Sequence, residues 1–487
     1  MKLLKTAALI SSLLLGSSIQ AQDADFIDFA MDKTYPETSR KRTEEFSNYK
    51  FGLFVHWGLY SVPAGKWHDG RILKKNYGEW IQYHLKIPFT EYSQLTKEFN
   101  PTDFDADRWV SYVKSLGMKY IVITSKHHDG FALFPSDVSE YDIESTPYKK
   151  DILGQLKKAC DKYGIALGFY YSQAKDWENI NAVDGQLFKD LPENYKPDLD
   201  KYIAEKSIPQ LKELLTRYEP TLIWFDTPQQ ITPERAQRFA DTVNTYSPKT
   251  LINSRIVFPG SALQRWMQGQ PTNEEAAIQF KLQTKWQTDF NDFVDYISLR
   301  DKGIPNSIIP IPFESPDSVS TSYGHKEFGY VKYHTPEELV HRLVKTTARG
   351  GNYLLNIGPD GKGNIPSKTK ELLDQLGSWM KTNSNAIHNT IANPFGQLFD
   401  ECEVTYNSST NTLYLIFLQW PTDSAITINL PQEKSGFTVQ PTARVLGSNA
   451  TTQIIKLDNT LTIASIPQNI PQSSATVIAI QLDTPIK

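Results

Sequence analysis

The stretch Thr221-Leu-Ile-Trp-Phe225, followed directly by Asp226, is the clearest of several short apolar runs in this sequence. Between about residues 50 and 360, such runs alternate with segments that have the 3.6-residue apolar period of a helix. Strands that alternate with helices are typical of an α/β fold, in which helices cover a parallel sheet. The other runs are Phe51–Val55, Tyr120–Thr124, Ala166–Tyr171, Leu251–Ile252, Ile308–Phe313 and Tyr353–Ile357.

The number of these runs distinguishes between two parallel-sheet folds. Seven runs are visible, and no glycine-rich dinucleotide-binding loop follows the first of them. This combination favours a closed (β/α)8-like barrel over an open doubly wound sheet. The 487 residues also leave room for a second domain beside a barrel of about 250 residues or more. We therefore expect the barrel to occupy residues 22–390.

The pattern changes in the last part of the chain. From about Pro394, short runs of alternating apolar and polar residues are separated by Asn, Asp, Gly and Pro, with no evident helix. Examples are Thr412–Leu418, Ala425–Leu430 and Thr460–Ile463. Such a pattern predicts an antiparallel β-sandwich, which we place at residues 391–487. It contains no recognisable group of catalytic residues.

The N-terminus has the features of a signal peptide. Lys2 and Lys5 precede an apolar run from Thr6 to Gly16, and a small-residue cleavage site ends at Ala21. We therefore expect residues 1–21 to be removed and the mature chain to be exported, either to a periplasm or out of the cell. The apolar run is too short to span a membrane, and no later run of 18 apolar residues exists.

Composition narrows the classes of partner. The formal net charge of −4 gives no reason to expect nucleic acid or an anionic membrane. The two cysteines, Cys160 and Cys402, lie far apart in sequence, and Cys160 falls on an apolar helix face. We expect two buried free thiols rather than a disulfide framework. The oligomeric state is left open.

Polar and aromatic residues follow the predicted strands at their carboxyl ends, the positions that form the functional face of such a barrel. The convergence of six strand ends predicts a polar pocket with aromatic walls. The six segments are Phe54–Gly58, Ser125–Gly130, Phe169–Ser172, Trp224–Asp226, Asn253–Arg255 and Phe313-Glu314.

Several chemistries are disfavoured by these residues. His127 and His128 are adjacent, so on an extended segment their rings point to opposite sides and cannot easily share a metal ion. His-x-His, HExxH and paired-cysteine motifs are absent from the sequence, as is the GxSxG turn of a serine nucleophile. We expect neither a metal nor another cofactor. A carboxylate mechanism remains, and a tryptophan beside Asp226 suits a sugar substrate.

Taken singly, each of these residues also has an ordinary structural interpretation. Asp226 could cap a loop, His56 could be a hydrogen-bonded core histidine, and Trp80 could fill the core. Glu314 is one of 55 acidic residues, most of which are expected to be solvated. Only their convergence in one predicted pocket favours a functional role.

Together, these segments resemble α-L-fucosidases of glycoside hydrolase family 29, from about residue 30 to residue 480. The matching blocks are long, and the His-Trp-Gly, His-His-Asp-Gly-Phe and Gly-Gly-Asn-Tyr-Leu-Leu-Asn-Ile-Gly-Pro blocks are specific. They are Phe51–Gly65, Gly78–Trp80, Lys126–Phe131, Tyr170–Ser172, Leu222–Asp226 and Gly350–Pro359.

The resemblance implies roles for individual residues. Trp-x-Asp at the fourth strand resembles the family's nucleophile motif, which makes Asp226 the nucleophile and Trp224 a pocket wall. Glu314 matches the family's acid/base, because it precedes Ser322-Tyr-Gly324 by eight residues, although Phe313 and His325 depart from the family's usual Trp and Tyr. The positions that in relatives contact the sugar or surround the nucleophile are His56, Glu79, Trp80, His127, His128, Tyr170 and Arg255. We prefer Tyr170 to Tyr171 because neighbouring strand residues face opposite sides.

The resemblance further implies a retaining exo-α-L-fucosidase that releases terminal α-L-fucose from oligosaccharides or glycoconjugates through a covalent fucosyl-enzyme. Its partner is then a fucosylated glycan. Two alternatives stay open: a catalytically inactive barrel that binds fucose, and a related glycosidase of the same fold that acts on another sugar. The linkage that is cut does not follow from the sequence.

Overall fold

The computed structural model describes residues 37–257, 294–309, 312–468 and 474–486. The predicted signal peptide, residues 1–21, lies outside them. Eight parallel strands form the first sheet. They are β1 Phe51–Val55, β2 Tyr120–Lys126, β3 Ala166–Ser172, β4 Leu222–Asp226, β5 Leu251–Ile252, β6 Ile297–Ser298, β7 Phe313–Ser318 and β8 Asn352–Ile357.

The eight-stranded sheet curls into a barrel. Its strand order is β5-β4-β3-β2-β1-β8-β7-β6, and every pair is parallel. The two edge strands, β5 and β6, meet at a parallel bridge between Asn253 and Tyr296. Here Ser254 N donates to Tyr296 O at 3.0 Å. Asp295 N also donates to Ile252 O at 2.8 Å across this junction. The predicted (β/α)8-like barrel is therefore confirmed.

The prediction of the strands needs two corrections. The strand β6 was not predicted, because two residues are too few to show an apolar period. The run Ile308–Phe313 was predicted as a strand, but β7 begins at Phe313 and continues through the polar segment to Ser318. Glu314 is therefore the second residue of its strand, near the amino end, and does not follow the strand at its carboxyl end.

Helices surround the barrel, and several begin at side-chain caps. Asp105, Asp151 and Thr232 each accept a hydrogen bond from a backbone N–H of the first helical turn. Thr335 and Glu338 form a capping box at the start of another helix. The described helices are α1 Glu37–Tyr49, α2 Ile81–Leu85, α3 Phe89–Tyr92, α4 Ala106–Ser115, α5 Ile152–Tyr163, α6 Leu199–Tyr202, α7 Ile208–Tyr218, α8 Pro233–Tyr246, α9 Pro336–Ala348 and α10 Ser367–Asn383.

Alternation along the strands divides the core into two layers. One set of residues fills the barrel interior, and the residues between them pack outward against the helices. The interior set includes Phe54, Tyr120, Val122, Tyr170, Leu222, Trp224 and Leu354. The outward set includes Leu53, Val55, Ile121, Ile123, Phe169, Tyr171, Ile223 and Phe225. Side chains therefore point into the barrel at every second position of each strand.

The C-terminal part is an antiparallel β-domain, as predicted. Its seven strands are joined in one sheet of order β11-β14-β13-β12-β15-β10-β9, over an apolar core of their own. An ion pair between Arg349 and Glu403, 2.8 Å long, ties this domain to the barrel. The strands are β9 Glu403–Asn407, β10 Thr412–Phe417, β11 Ala425–Asn429, β12 Thr442–Val445, β13 Thr451–Leu457, β14 Thr460–Ala464 and β15 Thr476–Gln481.

Two further expectations concern thiols and membranes. Cys160 and Cys402 are both free and buried, which confirms the prediction. Among the described residues, no helix has both the length and the apolar character needed to cross a membrane.

Gly52 offers a test of barrel packing. A Cβ atom on Gly52 would lie 2.4 Å from the ring of Tyr120, which fills the space above this glycine. We expect Gly52→Ala to lower the free energy of unfolding by about 1–3 kcal/mol, because the overpacked ring must shift. Urea denaturation measures the change. Gly436→Ala is the control, since no atom lies within 4 Å of its added Cβ. Equal effects of the two substitutions would contradict the packing argument.

Candidate active site

A cavity of about 530 Å³ opens at the carboxyl ends of the barrel strands. Nine of the ten predicted site residues line it, and the exception is Glu314. The nine are His56, Glu79, Trp80, His127, His128, Tyr170, Trp224, Asp226 and Arg255. Eight further residues that were not predicted also line it, namely Phe54, Lys75, Asn76, Tyr77, His84, Thr227, Asp301 and Tyr323.

Asp226 is the last residue of β4, and two donors hold its carboxylate in the cavity. The Tyr170 hydroxyl donates to Oδ2 at 2.9 Å, and Arg255 Nη1 donates to Oδ1 at 2.9 Å. Burial raises the pKa of the Asp226 carboxyl group, while Arg255 opposes this rise. An ionised carboxylate offers about four lone-pair sites, so the two hydrogen bonds leave acceptor capacity for a ligand or for attack on one.

The chain turns sharply after Asp226. Thr227 has a φ angle of 47°, in the left-handed region that β-branched residues rarely adopt. Backbone strain of this kind costs about 1–3 kcal/mol and persists where the surrounding structure enforces it. Because Thr227 also lines the cavity, the strained turn belongs to the site itself.

Arg255 joins two carboxylates at the cavity wall. It lies in a short 3₁₀ turn, Ser254–Ile256, just after β5. Its Nη1 binds Asp226, and its Nη2 donates to Asp301 Oδ1 at 2.7 Å and to Leu299 O at 2.7 Å. The guanidinium group also lies 4.6 Å from the ring centroid of Trp224. One cation is therefore shared by two acids and stacked on an aromatic wall.

His56 and His128 are both held as neutral acceptors. His56 Nδ1 lies 2.7 Å from Asn356 Oδ1, whose amide nitrogen donates to Tyr323 O at 2.8 Å. His128 Nδ1 lies 2.8 Å from Ser172 Oγ, which itself donates to a backbone carbonyl. In each case Nδ1 carries the hydrogen, which leaves Nε2 as an acceptor. Burial lowers the pKa of His56 to about 4 and holds the pKa of His128 well below its usual range.

His127 lies on the same side as His128, contrary to the expectation that the two rings diverge. Their centroids are 4.1 Å apart and both rings line the cavity, because they follow β2 and are not part of its extended run. The His127 ring stacks on Tyr170, and burial keeps its pKa well below the usual value. In the described part of the chain, no three His, Cys, Asp or Glu side chains are grouped so that they could hold a metal ion.

Glu79 sits on the inner wall of the cavity, in the 3₁₀ turn Gly78–Trp80. Its Oε2 accepts a hydrogen bond from Gly324 N at 2.6 Å. The carboxyl group is almost fully buried, and burial raises its pKa to about 7 despite this hydrogen bond. Gly324 is needed for the contact, since a Cβ there would lie 2.9 Å from Glu79 N.

Glu314 lies beneath the cavity, inside the barrel. Its side chain has no exposed surface, and it accepts hydrogen bonds from Tyr120 Oη at 2.7 Å and Trp224 Nε1 at 2.6 Å. The cause of this placement is the corrected start of β7, which puts Glu314 level with Asn352, the first residue of β8. The predicted role of Glu314 as the proton donor does not fit this position.

A buried charge network supports the histidine segment from behind. Lys126, the last residue of β2, donates to Asp176 Oδ2 at 3.1 Å and to Tyr202 Oη at 2.7 Å. Lys206 also pairs with Asp176 at 2.9 Å. The Lys126 and Asp176 side chains are fully buried, and removal of one partner would leave an uncompensated charge. This network fixes the segment that carries His127 and His128 against the end of β3.

The barrel, with its paired carboxylates and aromatic walls, has the site of a glycoside hydrolase. The family model described as Alpha-L-fucosidase matches residues 21–385. Since this match covers most of the chain, the chain belongs to the α-L-fucosidases, glycoside hydrolase family 29. An α-L-fucosidase from Dictyostelium discoideum is 28% identical over 411 residues, which cover 79% of this chain and 80% of the relative. Human plasma α-L-fucosidase is 28% identical over 437 residues, which cover 87% and 85%.

Solved structures share the fold. A family 29 α-L-fucosidase from Bacteroides thetaiotaomicron has a TM-score of 0.74 at 26% identity, over 91% of this chain and 94% of that chain. A trapped covalent intermediate of such an enzyme from the same organism, with 2-fluoro-fucosyl fluoride, has a TM-score of 0.75 at 26% identity, over 91% and 96%. The α-L-fucosidase AlfC from Lactobacillus casei, in complex with α-L-fucose, has a TM-score of 0.59 at 31% identity, over 71% and 99%.

Two of the missed residues had a usable signal in the sequence. Phe54 lies two positions before His56, so strand alternation places both on the inner side of the barrel. Tyr323 lies within the Ser322-Tyr-Gly324 tripeptide already singled out. Asp301 had no such signal, since it stands in the polar segment Arg300–Gly303, which is typical of an exposed turn.

The buried Glu314 predicts a pH dependence of stability. Burial raises its pKa from 4.5 to about 7. Between these values the folded protein keeps a proton that the unfolded chain has lost, so the free energy of unfolding falls as the pH rises. The loss approaches about 3 kcal/mol above pH 7. We expect Glu314→Gln to flatten this slope in urea denaturation between pH 4.5 and 7.

The matched control is Glu371→Gln, whose side chain is exposed and paired with Lys368. It should leave the slope unchanged. A slope that is the same in Glu314→Gln and in the wild type would show that Glu314 is already ionised in this range.

Proposed function

We propose that this chain is a retaining exo-α-L-fucosidase, which releases terminal α-L-fucose from oligosaccharides or glycoconjugates, with Asp226 as its nucleophile. The observation that carries the proposal is the position of Asp226. Its carboxylate faces a cavity that is closed below, it is held by Arg255 and Tyr170, and it keeps free lone pairs. A carboxylate in this setting can attack an anomeric carbon without first moving.

The environment of Asp226 suits the charge changes of such a reaction. The transition state resembles an oxocarbenium ion, which an ionised Asp226 stabilises before the covalent bond forms. Arg255 and Tyr170 fix the orientation of the carboxylate and lower its pKa, against the rise that burial causes. In the resulting fucosyl-enzyme, the ester is formed by the oxygen that attacked, and water later restores the carboxylate. Two displacements at one carbon give net retention.

The shape and polarity of the cavity suit a 6-deoxy sugar. Fucose carries a methyl group where galactose has a hydroxymethyl group, so its pocket needs an apolar corner beside polar groups. Phe54 and Trp224, whose ring centroids are 4.9 Å apart, supply such a corner. The Nε2 atoms of His56 and His128 are acceptors for sugar hydroxyls, and Glu79 adds a carboxyl group.

The closed floor supports exo action. Beneath the cavity, the barrel is filled by buried side chains that include Tyr120, Trp224 and Glu314. A chain of sugars cannot pass through such a floor, so the sugar that enters is a terminal one. The related structures with a fucosyl covalent intermediate and with α-L-fucose support the same sugar and the same mechanism for this chain.

The N-terminal sequence also bears on where the protein acts. The basic start, the apolar run and Ala21 support export by a signal peptide of residues 1–21. An exported enzyme meets extracellular or periplasmic glycans, which fits a fucosylated glycan as the partner.

Asp226→Ala tests the nucleophile. We expect kcat/KM on an aryl α-L-fucoside to fall by about 10⁴-fold or more, since the group that forms the covalent bond is lost. For the wild type, proton NMR should show α-L-fucose as the first product, which indicates retention. Asp161→Ala is the control, because Asp161 is exposed and paired with Lys157 on an outer helix. Wild-type turnover in Asp226→Ala would contradict the assignment, and an absence of fucose release by the wild type would favour the inactive fucose-binding barrel.

His128→Ala tests the recognition of the sugar. Loss of the Nε2 acceptor should weaken the binding of free fucose by about 5- to 150-fold, the range of roughly 1–3 kcal/mol for a buried hydrogen bond. Isothermal titration calorimetry measures this change. His334→Ala is the control, since His334 pairs with Glu338 on an outer helix. Equal affinities of both variants for fucose would place the sugar elsewhere.

A further inference from the structure

The proposed double displacement needs a second carboxyl group, on the side from which the leaving sugar departs. Glu314 lies beneath the cavity, on the side away from its mouth. It has no exposed surface, and its two oxygens accept hydrogen bonds from Tyr120 and from the indole of Trp224. Trp224 lines the cavity and Glu314 does not, so the tryptophan separates Glu314 from any sugar bound there. A glycosidic oxygen therefore lies out of its reach.

Among the described residues, three carboxyl groups line the cavity: those of Glu79, Asp226 and Asp301. Asp226 is occupied by the attack on the anomeric carbon. Glu79 is only 2% exposed, and Gly324 N binds its Oε2 at 2.6 Å, so it is fixed on the inner wall that faces the terminal sugar. The leaving sugar, which stays in solvent at the mouth, does not reach this wall.

Asp301 has the position that the second group requires. It follows β6 at the carboxyl end of the barrel, and its side chain is 42% exposed while that of Asp226 is 14% exposed. The Arg255 guanidinium group binds both carboxylates, at 2.9 Å and 2.7 Å. A single guanidinium group thus contacts both carboxyl groups and holds them as near neighbours, as the two carboxyl groups of retaining glycosidases are, at about 5–5.5 Å.

Resting on the function proposed above, we propose that Asp301 is the general acid and base of the reaction. Glu314 is then a positioning residue, which holds the indole of Trp224 from below.

In the first step, an oxygen of the Asp226 carboxylate attacks the anomeric carbon, and the bond from this carbon to the glycosidic oxygen breaks. The electron pair of that bond goes to the glycosidic oxygen, which takes the proton of the Asp301 carboxyl group. The products are a fucosyl ester of Asp226, the free hydroxyl group of the leaving sugar and an ionised Asp301.

In the second step, Asp301 takes a proton from water, whose oxygen attacks the anomeric carbon. The bond to Asp226 breaks, its electron pair returns to the carboxylate, and fucose leaves. Arg255 serves both steps, because its charge pairs with whichever of the two carboxylates is ionised. Asp226 carries the charge before the ester forms, and Asp301 carries it afterwards.

Glu314 acts on the same site through Trp224. Its hydrogen bond to Nε1 fixes the indole, which stacks on Tyr170 at 5.7 Å and on Arg255 at 4.6 Å. Loss of this bond loosens a wall that contacts the sugar in both the ground state and the transition state. All substrates should then be affected to a similar degree, whatever their leaving group.

The leaving group separates the two roles. In Asp301→Ala, we expect kcat/KM to fall by about 10²–10⁴-fold for phenyl α-L-fucoside, which needs a proton on its leaving oxygen. The fall should be under about 10-fold for the 2,4-dinitrophenyl fucoside, whose leaving group departs without one. In Glu314→Gln, both substrates should lose the same factor. Asp161→Ala should behave as the wild type does.

Azide provides a second readout, which does not depend on how well Glu314→Gln folds. Azide needs no base, so it should attack the fucosyl-enzyme of Asp301→Ala, speed turnover of the dinitrophenyl fucoside and give α-L-fucosyl azide. With Asp226→Ala, any azide product should have the β configuration, because a single displacement inverts the carbon.

The outcomes separate this inference from the proposed function. Formation of α-L-fucosyl azide by Asp301→Ala, with a steeper dependence on the leaving group, supports Asp301. The same signature in Glu314→Gln, or a wild-type dependence in Asp301→Ala, overturns the inference while the fucosidase function stands. A wild-type protein that releases no fucose from either substrate removes the function and this inference together.

Discussion

The shared ion pair of Arg255 with Asp226 and Asp301 is the interaction on which the site depends. Two carboxylates near each other in a cavity repel, and both burial and the charge of Asp301 raise the pKa of Asp226. A guanidinium group that is stacked on Trp224 and anchored by Leu299 O holds both in fixed places. Arginine suits this task better than lysine, because its fork is planar and its charge is not lost at working pH.

Apart from Lys75, the other polar groups of the cavity add little further charge. Three of the four histidines that line it, His56, His127 and His128, are neutral because burial lowers the pKa of each. Glu79 is buried, and its pKa is raised to about 7. A sugar is itself uncharged, and its hydroxyl groups need acceptors and donors more than ions. Around Asp226, the ionic charge of the site is therefore concentrated on Arg255 and its two acidic partners.

Much of this site could be predicted from the sequence, because strand ends in a parallel barrel converge on one face. Asp226, His56 and Arg255 all follow or end strands, and all three line the cavity. The choice of Tyr170 over Tyr171 also agrees with the structure, since Tyr170 lines the cavity while the Tyr171 hydroxyl donates to Ser207 O outside the barrel.

The errors came from strands without an apolar period. The sixth strand was predicted at Ile308–Phe313, ahead of the polar strand β7, which moved Glu314 from the interior of the barrel to its functional face. The two residues of β6 were too few to detect, so Asp301 was not recognised as a strand-end carboxylate. The resemblance of a short motif correctly placed Glu314 close to the site, where it contacts Trp224. How deep Glu314 lies in the barrel depends on the register of its strand. Register is set by pairing with neighbouring strands, which a single sequence does not display.

The junction between β5 and β6 has a consequence for the stability of the whole barrel. These are the two shortest strands of the described sheet, and the bridge from Asn253 to Tyr296 closes the ring between them. Arg255 follows β5 and Asp301 follows β6, so a ligand that contacts both residues links the two strands across the junction. By mass action, every tenfold rise in free ligand above its dissociation constant adds about 1.4 kcal/mol to the folded state. A bound glycan that reaches both residues would therefore stabilise the barrel at the junction of its two shortest described strands.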